Sequence, residues 1–293
     1  MPALRPLWAA SLALTGLALL GPALPGEVLA QQRDPGAADT NTALTGPRSG
    51  LPKDWVGLRP LSGGVAILVM PGHADSQGFG SGASGEAVAR RGARPMDPSI
   101  SDELFWNLAV VEAVVRLGQR RGLSIRSYDP GVRRIADPND PRTTWSVGKA
   151  HVQAGGYALE IHHDAHGSAG IGSGLIPPIS TAPTFLDESL ASAFGAFPRW
   201  FRDGLGGPRR GIAILEIGKL EGQLERNLRD PSTRQSTIEA IAQRVVLALE
   251  RGVAAQPAQT ALSDVVRDVV SPPPDVVGSV PPAQDPLASS GAW

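Results

Sequence analysis

The chain has no cysteine in 293 residues. That excludes a thiol nucleophile and a small secreted fold framed by disulfides, because an exported chain without them needs a sizeable core. An excess of one charge is missing too: the formal net charge is -1 and no basic block occurs, so the electrostatic footprint of a nucleic-acid binder is absent. There is no Gly-x-Ser-x-Gly elbow and no phosphate-binding loop of the Walker type. Beyond the first thirty residues, no apolar run approaches the roughly 20 residues that a membrane span requires. No internal repeat is visible.

The first thirty residues read as a targeting segment. Arg5 precedes an apolar stretch that begins at Leu7 and fades near Leu24, and Val28-Leu29-Ala30 closes it with a signal-peptidase pattern. Gly21, Pro22 and Pro25 break the helix that an uncleaved anchor needs. The expectation is a signal peptide over residues 1–30 and export to the periplasm or cell envelope. Residues 31–60, rich in Gly, Pro, Thr and Asp without an apolar period, read as a flexible linker. Residues 254–293 read as a disordered Pro-rich tail, too poor in apolar periodicity to offset the cost of ordering. Residues 61–253 are left as a single folded domain.

Within that domain strand-like and helix-like segments alternate. "GVAILVM", "LSIRSYD", "YALEIHH" and "GIAILEIG" are short aliphatic or β-branched runs bounded by Gly, Pro or Asp. Between them lie "SDELFWNLAVVEAVVRLGQRRG", "DESLASAFGAFPRWFRDGL" and "STIEAIAQRVVLALERG", with apolar residues at helical spacing. Ser101 or Asp102 can cap the first helix and Gly122 can stop it. The alternation predicts an α/β fold, a mostly parallel twisted sheet covered by helices on both faces.

Three of the five histidines fall within five residues of "YALEIHHDAHG", at the end of the third strand. Side chains alternate along a strand, so Glu160, His162 and Asp164 face one way and His163 the other. His162 can therefore share a site with His73, which follows the first strand in Pro71-Gly72-His73; in such sheets chemistry collects at the strands' carboxyl ends. Two imidazoles need a third ligand to hold an open catalytic zinc, usually a carboxylate. Two glutamates compete for that place. Glu103 lies in the first turn of a helix, and Glu86 in the Gly-rich "GSGASGEAV". The rigid helix favours Glu103.

Each residue also has a plainer role open to it. His73 can be a turn residue, His162 a packed core imidazole, Glu103 a favourable charge at a helix N-terminus, and Glu216 an ion-pair partner of Arg209 or Arg210. His163 and His166 are placed outside the metal's immediate ligands, and His151 on the surface or in packing.

Taken in order, "ILVMPGH" with its Gly-rich loop, a glutamate four residues before Asn107-Leu108, "EIHHDAH" and "AILEIGKLEG" resemble the motifs of zinc-dependent N-acetylmuramoyl-L-alanine amidases, the type-3 family of peptidoglycan amidases. In that family the segments read approximately Asp-Pro-Gly-His, Glu-x-x-x-Asn-Leu, Ser-Ile-His-Ala-Asn and Val-Glu-x-Gly-Phe. The resemblance spans roughly residues 65–252. It implies an amidase/phosphorylase-like fold, Zn2+ on His73, Glu103 and His162, and Glu216 as the catalytic carboxylate. The implied reaction is hydrolysis of the amide joining N-acetylmuramic acid to the L-alanine of stem peptides. Peptidoglycan or muropeptides would be the partner of a monomeric enzyme, with an activating protein in the envelope. Met70, Glu160, Lys219 and Gly222 depart from the family's residues and bear on substrate contacts. Two other readings stay beside this one: a non-catalytic zinc-containing wall-binding module, and a zinc hydrolase of another amide. The loops 75–101 and 167–183 are the candidates to cover the cleft.

Overall fold

All four aliphatic runs form strands of one sheet in the computed structural model of the chain, which describes residues 42–62 and 64–270. They are β1 (Ile67–Pro71), β2 (Ile125–Ser127), β3 (Tyr157–Asp164) and β5 (Ala213–Lys219), with a short β4 (Gly174–Ile176) at one edge. The order is β2-β1-β3-β5-β4; β4 alone runs antiparallel. The chain leaves β1 for β2 on one side and returns to place β3 on the other. The topological switch point, where open α/β sheets form their ligand crevice, therefore lies between the carboxyl ends of β1 and β3.

The helices are α1 (Glu86–Arg91), α2 (Asp102–Arg120), α3 (Thr144–Gln153), α4 (Phe185–Phe194), α5 (Gly222–Arg229) and α6 (Arg234–Val270). The Ser101 hydroxyl accepts from Leu104 N to open α2, and Gly122 turns away beyond its end with φ of 85°. Ile67, Val69, Leu159, Ile161 and Leu215 pack one face of the sheet against Trp106 and Val110 of α2, Leu190 of α4 and Val245 of α6. Leu68, Met70, Ala158 and Ile212 on the other face meet α3 through Trp145, Val147 and Val152. Helices cover both faces, as expected, but among the described residues the second carries only α3 and loops near the strand ends. Glu160, His162 and Glu216 point to that thinner side.

Two boundaries differ from the sequence reading. Within residues 31–60, the described part is packed and not a free linker: Trp55 is 7% exposed and its indole donates to Phe197 O at 2.8 Å. Gly57 N donates to Glu188 Oε2, and Arg48 and Arg59 form backbone bridges to Ser173 and Thr184. A segment held by one buried ring and scattered backbone bonds carries no periodicity to betray it. At the other end α6 runs through residue 254, where the tail is expected to begin, and continues to Val270. Residues 1–41 and 271–293, with the signal peptide expected over 1–30, lie outside the described residues. Among the described residues no helix is long and apolar enough to cross a membrane.

Trp55→Ala should destabilise the protein by about 3 kcal/mol, the range for truncating a buried aromatic side chain. A lower urea midpoint at unchanged slope would show it. No shift would return this segment to the linker class.

Candidate metal centre

β1 ends in Pro71, and the turn behind it puts His73 at φ of 62°, a left-handed conformation costly for a residue other than glycine. Gly72 makes the approach of β3 possible. A Cβ at that position would lie 2.2 Å from Cε1 of His162, so the imidazole occupies the space a side chain would need. The rings of His73 and His162 meet edge to face with centroids 4.8 Å apart. Glu103, in the first turn of α2, presents Oε1 at 3.3 Å from His73 Nε2 and 3.2 Å from His162 Nδ1. Its other oxygen accepts from Ala83 N at 2.6 Å, which fixes the carboxylate's orientation. One ligand atom from each of the three residues lies within 4.8 Å of the others.

This donor set fits a zinc ion: two imidazole nitrogens and one carboxylate oxygen, with the cavity side open. The competing carboxylate is elsewhere. Glu86 opens α1 and pairs with Arg91 at 2.7 Å.

The electrostatics agree with a cation site. Burial works against the charge of Glu103, but His73 and His162 outweigh it and hold the carboxyl well below its usual range. Burial likewise opposes charge on His162, while Glu103, Glu160 and Glu216 raise its proton affinity well above that of an ordinary imidazole. Glu103, Glu160 and Glu216 thus gather around His162, with His73 beside them on Glu103.

Glu216 sits on β5 in register with His162. Its Oε2 is buried without a hydrogen-bond partner. Burial pushes its carboxyl up to about 8, with Glu103 and Asp164 adding to the shift and His162 and Arg202 opposing it. The ion pair open to it in the sequence is not made: Arg209 and Arg210 donate to the carbonyls of Asp203, Gly204 and Gly206.

His163, on the opposite face of β3, is 1% exposed, and burial lowers its pKa to about 4, so it stays neutral. Its Nδ1 lies 2.8 Å from Asn107 Oδ1, and Asn107 Nδ2 donates to Gly72 O at 3.2 Å. The pair braces α2 against the β1 turn that carries His73. His166 contacts Ser84 O and His151 contacts Ala66 O, both away from the cluster.

A cavity of about 540 Å³ opens over His73, His162, Glu160 and Glu216. Asp75, Ser76, Phe79 and Ser81 of loop 75–101 line it, with Trp145, Arg202 and Leu205; loop 167–183 contributes no lining residue. Sequence reading missed Trp145 and Arg202, which reach the cavity from segments far away along the chain. It placed Glu160 on the same strand face as His162 and noted it as a departure from a motif, without giving it a role.

The geometry predicts that Gly72→Ala weakens zinc binding by about tenfold or more, since groups that orient metal ligands are typically worth 10- to 100-fold in affinity. Competition with a chromophoric chelator measures it. Unchanged affinity would mean that His162 need not sit where it does.

Fold and site together define a class: an α/β domain whose switch point carries a His-Glu-His cluster beside an unpartnered carboxylate, open to a cavity. No protein-family model matches the chain, and no curated protein matches it in sequence. Among solved structures it is similar to the catalytic domain of CwlV, an N-acetylmuramoyl-L-alanine amidase from Bacillus (Paenibacillus) polymyxa var. colistinus, at 17% identity and a TM-score of 0.42, covering 69% of this chain and 99% of that one. It is also similar to the N-acetylmuramoyl-L-alanine amidase AmiC2 of Nostoc punctiforme, at 15% identity and a TM-score of 0.40, covering 64% of this chain and 99% of the other. A third is the CwlD amidase of Clostridioides difficile, in complex with the GerS lipoprotein, at 16% identity and a TM-score of 0.42, with 65% and 99% covered. These are similarities of fold. The cluster and the cavity stand on this chain's own geometry.

Proposed function

We propose that this protein is a zinc-dependent hydrolase of the bacterial cell wall that cleaves the amide between N-acetylmuramic acid and the L-alanine of peptidoglycan stem peptides. One observation carries the reading: His73, Glu103 and His162, drawn from three of the resembling motifs, converge in one cluster, and its two histidines line the same cavity as Glu216 from the fourth. His73, Glu103 and His162 would hold the ion. Zinc bound there supplies Lewis acidity toward an amide carbonyl and lowers the pKa of water toward neutrality.

The remaining work belongs to the chain. Glu216, with a buried oxygen that lacks a partner, takes a proton from the attacking water and passes it to the leaving amine. A proton affinity near neutrality suits a group that must first accept and then donate. Asn107 and His163 hold the β1 turn and α2 in register, and Ala83 N keeps Glu103 pointed at the two imidazoles. Arg202 offers the cavity a guanidinium suited to a carboxylate of the peptide. The protein acts in the periplasm or envelope as a monomer, under control of loop 75–101 and an activating partner.

Incubating the zinc-loaded protein with a defined muropeptide tests this. The expected products by mass are the lactyl-bearing sugar and a peptide with a free L-alanine terminus. Cleavage of other N-acyl alanine amides with the muropeptide left whole would assign a different amide. Binding without cleavage would make it a wall-binding module.

A further inference from the structure

We infer that Glu160 is a positioning residue for the metal centre: its carboxylate takes the Nε2–H of His162 and so reserves Nδ1 as that residue's ligand atom. The inference rests on the reading of His73, Glu103 and His162 as metal ligands. An imidazole that ligates through one nitrogen carries its proton on the other, and a buried N–H without an acceptor costs about 1–3 kcal/mol. His162 Nδ1 faces Glu103 at 3.2 Å. Its Nε2 is buried and has no acceptor within hydrogen-bonding geometry, yet Glu160 Oε2 stands 3.5 Å away. A closure of a few tenths of an ångström brings that pair into the ordinary range for N–H···O bonds.

Everything around Glu160 points it to this task. It is 2% exposed and, among the described residues, makes no ion pair with Lys or Arg and no hydrogen bond to anything else. Glycines stand on both sides of the pair. A Cβ on Gly207 would lie 3.1 Å from Glu160 Oε2, and one on Gly72 would overlap the His162 ring.

Glu160 and His162 sit two residues apart on the same face of β3, a separation of about 6.6 Å along a strand. A glutamate side chain spans that gap. The serine that the resembling motif places here ends one bond past Cβ and does not. The departure in sequence thus lies where a longer acceptor gains contact with a ligand.

The test is zinc affinity of the full mature chain by chelator competition, for wild type, Glu160→Ala and Glu160→Gln. Removing a carboxylate that orients a ligating histidine typically weakens metal binding by about 10- to 100-fold, and that loss is expected for Glu160→Ala. Glu160→Gln should recover a large part of it, because the amide oxygen still accepts. Long-range ¹⁵N spectra of the zinc-loaded wild type should show His162 protonated at Nε2 and metal-bound at Nδ1, a signature that a merely structural role would not dictate. Equal affinities in all three proteins, or metal on Nε2, would overturn the inference while leaving the centre intact. A wild type that takes up no zinc would overturn the metal reading, and this inference with it. If Glu160→Ala fails to fold, the glutamine variant and the wild-type spectrum still decide.

Discussion

Glu216→Gln is expected to keep zinc and fold while losing hydrolysis by about 10²- to 10⁴-fold, the usual worth of a general acid or base. The amide preserves the volume of a side chain packed on β5 and removes its capacity to accept and return a proton. Because Glu216 Oε2 is buried without a partner, no existing hydrogen bond is sacrificed. Burial of a neutral amide replaces burial of a carboxyl that desolvation already pushes toward its neutral form, so stability should hold or rise slightly. The checks are peptide release, zinc content and thermal unfolding on matched preparations. Activity equal to wild type would take Glu216 out of the mechanism. A loss of zinc alongside activity would instead make it part of the metal's surroundings.

His162→Ala should reduce zinc from about one equivalent per chain to near none, since two remaining ligands seldom hold the metal. It removes the imidazole that shares Glu103 Oε1 with His73, and it leaves Glu160 buried without the group it faces. The same loss is expected of His73→Ala, with a smaller structural cost because that side chain is more exposed. Glu103→Ala should also lose the metal, whereas Glu86→Ala should not, since Glu86 is turned toward Arg91. Metal analysis after gel filtration separates these outcomes. Full occupancy in the His162 variant would show that zinc, if bound, sits elsewhere.

The parts of this structure that the sequence announces are those governed by local periodicity. β1, β2, β3 and β5 are aliphatic runs stopped by Gly, Pro or Asp, and α2 carries its own cap in Ser101. β4 is three residues of Gly-Leu-Ile, too short for any period, and becomes a strand by pairing with β5. α3 is legible only in part: "GKAHVQAGG" around His151 reads as helical, but its first turn mixes Trp145 and Val147 with Gly148, and its burial is decided by Met70 of β1 and Ile212 just before β5.

The grouping of His73, Glu103 and His162 was legible because each residue sits at an element's end, where strand alternation and the first turn of a helix dictate direction. The preference for Glu103 over Glu86 rests on the rigidity of α2; Glu103 lies against both histidines, and Glu86 pairs with Arg91. What the sequence concealed is long-range. Arg202 reaches the cavity from a strained turn with φ of 50°, Trp145 from α3, and Trp55 docks from a segment that reads as a linker. Glu160 was visible as an oddity in a motif; only the position of His162 Nε2 gives it a reason.

The proposed role of zinc held by His73, Glu103 and His162 is hydrolysis of the muramoyl-alanine amide. Digesting purified peptidoglycan with the protein before chelation, after chelation, and after zinc is restored, and identifying the new amino terminus by mass, tests it. Peptides with free L-alanine termini are expected from the zinc-loaded protein, none after chelation, and recovery on adding zinc. Release that survives chelation, or a new terminus at any other residue, would contradict it.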